Sequence, residues 1–151
     1  MFGKFQSLVD EILGGGAPRD LGRDEVRIAC AALLVHCAKA DGHQSEEETA
    51  KLRQILRERY GLSEQDTGKL IDDAAAHESQ AHDIHKFTWV LHRQLNRDER
   101  IDVVRALWDI CHADGNIDHE ERSVVNLAAG LLDVEMTDVV ATRQSVERRR
   151  I

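Results

Sequence analysis

Apolar residues recur three and four positions apart along almost the whole chain, and Pro18 is the single proline in 151 residues. A helix turns every 3.6 residues, so this spacing gathers apolar side chains on one helix face, whereas a strand would alternate them. The stripes read Val26, Ala29, Leu33, Cys37; then Leu52, Ile55, Leu56; then Ile84, Phe87, Leu91, Leu95; then Ile101, Val104, Leu107, Cys111. No period-two run competes with them. The pattern predicts an all-α protein, a compact bundle of about seven to eight helices over 2–13, 24–40, 46–59, 64–78, 82–95, 97–112, 119–132 and 138–148. Each stripe is expected to be the core-facing side of its helix.

Start signals support these boundaries. A side-chain oxygen at a cap, with a carboxylate three residues on, satisfies amide hydrogens that a first turn leaves open. Ser45 with Glu48, Asn96 with Glu99, and Asp118 with Glu121 have this spacing. Gly14-Gly15-Gly16-Ala17-Pro18 reads as a flexible linker. It divides the chain into residues 1–18, an amphipathic helix with its linker, and residues 19–151, the main helical domain. Phe2, Phe5, Leu8, Val9, Ile12 and Leu13 line one side of the first helix. Lys4 against Asp10 and Glu11 leaves it without the basic face that anionic membranes reward, so docking on protein is expected ahead of membrane-surface contact. The ending Glu147-Arg148-Arg149-Arg150-Ile151 reads as a solvated helix terminus, where cations suit the helix dipole.

Charge narrows the partners. Lys and Arg number 20 against 28 Asp and Glu, a net charge of −8, which argues against nucleic acid because phosphate binding needs clustered cations. Protein partners or cations fit better. Cys30, Cys37 and Cys111 form no CxxC pair and fall in apolar stripes, so they read as small core residues of a reduced compartment. With neither a signal-peptide run nor about 18 consecutive apolar residues, no transmembrane segment is expected and the location reads as cytoplasmic.

The sharpest motif is repeated. Ala40-Asp41-Gly42 followed by Glu48 matches Ala113-Asp114-Gly115 followed by Glu121, the Glu lying seven positions after the Asp in both. Leu34 then aligns with Leu107 and Leu52 with Val125, so the bundle is built on two repeated helix-turn-helix hairpins. Glycine after a helix end permits a left-handed backbone. The carboxylate spacing resembles the second half of an EF-hand loop, in which oxygens also come from the first and third positions. Those positions here are Cys37 and Lys39, or Ile110 and His112, so neither copy is a self-sufficient calcium loop. Paired face to face, however, the hairpins would bring Asp41, Glu48, Asp114 and Glu121 together around a divalent cation such as calcium, magnesium or manganese. The alternative is that each Glu only closes a capping box and each Asp only helps end a helix.

The repeated motif, with Phe87-Thr88, Glu99-Arg100, Ala106-Leu107-Trp108 and Leu131-Leu132-Asp133-Val134, resembles the TerB family over about residues 24–140. That family takes its name from tellurite-resistance operons, and its fold also occurs as the N-terminal part of DnaJ-like membrane co-chaperones. The resemblance implies an all-helical bundle with an acidic, metal-binding site and a role in stress or tellurite response. Asp41, Glu48, Asp114 and Glu121 fall on the motif positions, although Gln44 stands where an apolar residue is usual. No J-domain follows in this sequence, so a co-chaperone role is not the expectation.

Other chemistry is sparse. His82, His85, Trp89 and His92 share one stripe of the predicted 82–95 helix, and with Asp118 the first two are secondary ligand candidates. Thiolates that would complete a zinc site are not nearby in sequence, so these histidines are expected to border the core. His82-Asp83, with His36 and Asp109 in outer roles, resembles the HD phosphohydrolases on two residues only. No P-loop, nucleophile elbow, dinucleotide fingerprint or Glu-x-x-His occurs. Trp89 and Trp108 read as core or interface anchors. The leading functional reading is a non-enzymatic module that binds a partner protein, with a divalent cation at the paired acidic turns. A metal-free interaction scaffold and an HD-like metal-dependent phosphohydrolase are its alternatives.

Overall fold

In the computed structural model, which describes residues 23–40, 42–115 and 118–149, seven helices follow one another with short links. They are α1 (Arg23–Ala38), α2 (Glu46–Tyr60), α3 (Glu64–Gln80), α4 (His85–Gln94), α5 (Arg97–Cys111), α6 (His119–Leu131) and α7 (Met136–Arg149). The described residues contain no strand. Segment 1–18, with its predicted helix over 2–13, lies outside the described residues.

Local chemistry sets most boundaries. Ser45 and Asn96 open α2 and α5 with complete capping boxes: Glu48 N donates to Ser45 Oγ at 3.0 Å while Ser45 N donates to Glu48 Oε1 at 2.9 Å, and Asn96 with Glu99 repeats both bonds. Ser63, which the sequence reading passed over, caps α3 by accepting from Asp66 N at 3.0 Å. Gly61 ends α2 with φ 62°. The fourth helix begins later than its periodicity predicts. Asp83 accepts a hydrogen bond from His85 N at 2.9 Å, forming a short turn that keeps His82 and Asp83 outside α4.

α1 is the centre of the molecule and contacts α2, α3, α4, α5 and α6. The single stripe expected on it is therefore too narrow. Every residue from Ile28 to Val35 is buried, as are Cys37 and Ala38, because five helices leave this one no solvent face over those residues. α5 is the second buried strut, with Val103, Val104, Ala106, Leu107, Trp108, Ile110 and Cys111 in the core. The remaining helices are amphipathic and place Leu52, Leu56, Phe87, Leu91, Val125 and Val146 against these two.

The two repeats are α1–α2 and α5–α6. Their contacts are reciprocal: α1 meets α5, α1 meets α6, and α2 meets α5. That pattern is expected of two hairpins related by a local twofold, and the C-terminal ends of α1 and α5 meet, with Cys37 Sγ 3.8 Å from Cys111 Sγ.

Candidate functional site

The turns are matching objects. Ala40 N donates to Cys37 O at 3.2 Å and Ala113 N to Ile110 O at 3.2 Å; Gly42 N donates to Lys39 O at 2.8 Å and Gly115 N to His112 O at 3.1 Å. Each donor and acceptor in one copy lies 73 positions from its counterpart. Gly42 and Gly115 have φ of 82° and 84°, the left-handed region where a side chain is strained. Two α-helices thus stop, turn through a glycine and restart at a polar cap in the same way.

Past each turn a glutamate folds inward. Glu48 is 2% exposed and Glu121 3%, although charged residues of this kind are almost never fully buried without a partner. Glu48 Oε1 is engaged by the capping bond from Ser45 N. Its Oε2 is buried and accepts no hydrogen bond. In the second copy the cap is Asp118, whose carboxylate accepts from Glu120 N at 2.8 Å, one residue short of the predicted Glu121. Asp114 is exposed at its turn. Asp41 lies outside the described residues.

Between the glutamates two thiols meet. Cys37 Sγ and Cys111 Sγ are 3.8 Å apart, and Cys37 Sγ lies 3.9 Å from the carbonyl oxygen of Glu121. All three cysteines are buried and free, as expected for core residues. The Cys111 thiol, then burial, then the negative charges of Glu121 and Glu48, push the Cys37 thiol well above its ordinary pKa. It is therefore protonated at neutral pH. The buried carboxylates of both repeats thus act on one sulfur atom through their charge. The thiol contact went unseen in the sequence because Cys37 and Cys111 are not equivalent positions of the repeat: Cys37 aligns with Ile110, and Ala38 with Cys111.

The described residues contain no cluster of three or more His, Cys, Asp or Glu side chains arranged to hold a metal. The four-carboxylate set proposed from the sequence includes Asp41, so only three of its members are described. Carboxylates are hard donors suited to calcium, magnesium or manganese, and the buried Glu48 Oε2 is an oxygen that such an ion would satisfy.

The secondary candidates stand elsewhere. His82 and His85 are exposed, His82 before α4 and His85 at its start, where its Nδ1 pairs with Asp83 at 3.0 Å. They do not share a helical stripe. His92 lies 4.0 Å from Asp133. His77 is buried. Of the HD-like set, His36 contacts Glu78 at 3.3 Å and Asp109 is bound by Arg149 at 2.9 Å. Arg148 and Arg149 are exposed in the last turn of α7, the solvated terminus expected there, and Arg149 also reaches back to α5 across 40 residues. Glu78 is buried between His36 and Lys39, the latter at 2.8 Å, and pins α3 to α1.

The fold and these turns define a class: an all-helical module made of a duplicated hairpin with buried acidic residues at its mouth. The family model described as tellurite resistance protein TerB matches residues 27–144, and the chain belongs to that family. No curated protein and no solved structure gives a significant match to it. Among the described residues no helix is long and apolar enough to cross a membrane.

Proposed function

We propose that this TerB-family chain is a non-enzymatic module of stress or tellurite response that binds a partner protein and takes up a divalent cation at the mouth between its paired turns. The observation that carries the cation is Glu48 Oε2, a buried carboxylate oxygen without a donor, with the equally buried Glu121 following the matching turn of the other repeat. Burying such an oxygen unmet is costly, and a hard cation removes the cost. Glu48, Glu121, Asp114 and Asp41 are the residues assigned to it, with Asp118 in support. An ion joined to both turns would tie the repeats together and set the shape of the surface offered to a partner.

A metal-free scaffold is the second reading. It is favoured by Glu48 Oε1, which is already occupied in a capping box. Thermal unfolding with calcium, magnesium or manganese separates the two. At a free concentration about a hundredfold above the dissociation constant, a bound ion adds about 2.7 kcal/mol. The wild type should melt several degrees higher in at least one of these ions, and Glu48→Gln with Glu121→Gln should abolish the rise. Equal melting with and without each ion leaves the scaffold.

A further inference from the structure

A cleft of about 220 Å³ runs between α6 and α7 with Trp108 in its lining. It is smaller than the roughly 300–1,000 Å³ of pockets for drug-sized molecules, and suits a few side chains. Its apolar part includes Met136 and Val140, which are 67% and 37% exposed, and Leu127 on α6 adds a further 51% exposed side chain. These three are the large exposed hydrophobic residues among the described ones. They belong to adjacent helices.

The polar lining residues are Trp108, Arg122, Asn126 and Arg143. Trp108 is 1% exposed, yet its indole Nε1 is buried without an acceptor. Arg143 lies over the Trp108 ring at 6.0 Å, and its Nε is also buried without a hydrogen bond. Glu147 faces that Nε at 3.6 Å and His112 Nε2 at 3.5 Å, both too long to count as hydrogen bonds. Arg122 is exposed on the cleft wall and Asn126 completes it. No acid lines this cleft, in a chain of net charge −8 whose other clefts are lined by Asp24, Asp66 and Asp73, by Asp98 and Asp102, or by Glu58 and Asp109.

We propose that the α6–α7 cleft is a docking site for an amphipathic helix of a partner protein that presents an Asp or Glu beside apolar residues. The partner carboxylate would pair with the exposed Arg122 guanidinium beside Arg143, while its apolar side chains cover Met136 and Val140. Both halves of the surface call for this occupant: the cleft wall carries the Arg122 and Arg143 guanidiniums with no acid among its lining residues, and the exposed apolar side chains of Met136 and Val140 flank them. A free anion would leave the apolar part uncovered. The inference rests on the partner-binding reading above and gives it a location.

The probe is a fluorescein-labelled Ala-Leu-Glu helical peptide of about 15 residues, the length at which an isolated helix becomes marginal. Anisotropy reads binding, and the indole N–H resonance of Trp108, told from that of Trp89 with Trp89→Phe, reads location. The expected result is binding that shifts the Trp108 resonance and weakens at least tenfold when glutamates of the peptide become glutamines or when Arg122→Glu is introduced. Val140→Asp should act in the same way, and Arg53→Glu on α2 should leave affinity unchanged. Binding without a Trp108 shift, or indifferent to Arg122→Glu and Val140→Asp, overturns the cleft while leaving partner binding standing. No binding of the peptide at all also overturns the acidic-helix occupant, and calcium-dependent melting of the same sample reports separately on the cation.

Discussion

At the residue scale, glycine separates the turns from the helices. Gly115 has φ 84° and open space where a Cβ would project, so Gly115→Ala costs backbone strain alone, about 1–2 kcal/mol. Gly130 also has open space but lies within α6 at an ordinary helical φ. Gly130→Ala should therefore stabilise by up to about 1 kcal/mol, because the unfolded chain loses freedom and the helix gains a better former. Urea unfolding of the two variants should give opposite signs; a loss at both positions contradicts the assignment. The Gly42 and Gly115 turns were legible because only one residue type meets that backbone need. The contact between Cys37 and Cys111 was not, since two apolar-looking residues 74 positions apart carry no mark of their proximity.

At the element scale, helix ends and helix centres obey different rules. The cap of α5 is exposed and local: Asn96→Ala removes the bond to Glu99 N and should cost about 1 kcal/mol, seen as a lower urea midpoint with unchanged slope. α1 is held by the whole bundle, and Leu34, fully buried in it, should cost about 2–5 kcal/mol as Leu34→Ala through lost burial and the cavity left behind. Caps were readable because Ser45 with Glu48 and Asn96 with Glu99 complete their bonds within four residues. Start positions failed where the cap was unusual, as at α4, where Asp83 makes the turn and Ile84 stands at the N-cap without a side-chain bond. The stripe on α1 was read too narrowly because small residues such as Ala31 and Ala32 say little about which side faces a neighbour, and here every side does.

At the scale of the whole molecule, buried ionisable groups link the fold to pH. Burial, then the nearby Lys86 charge, lowers the pKa of His77 below its ordinary value. The unfolded chain thus binds a proton at higher pH than the folded one. Protonation favours unfolding as pH falls through about 6.5, with no contribution above it. Between pH 7 and 5 the wild type should lose more stability than His77→Gln, measured by urea unfolding at each pH; parallel losses would assign the acid sensitivity to other groups. The sequence by itself determined the helices, their polar caps, the two left-handed turns and the duplication, because each is settled by hydrogen bonds and periodicity within a short stretch of chain. Only the tertiary structure decided that α1 has no solvent face from Ile28 to Val35, that Glu48 and Glu121 are buried, and that Trp108 lines a cleft without an acid among its lining residues. Those facts depend on which helix faces rest on one another, and packing of that kind is shared among residues far apart in sequence, so no local pattern encodes it.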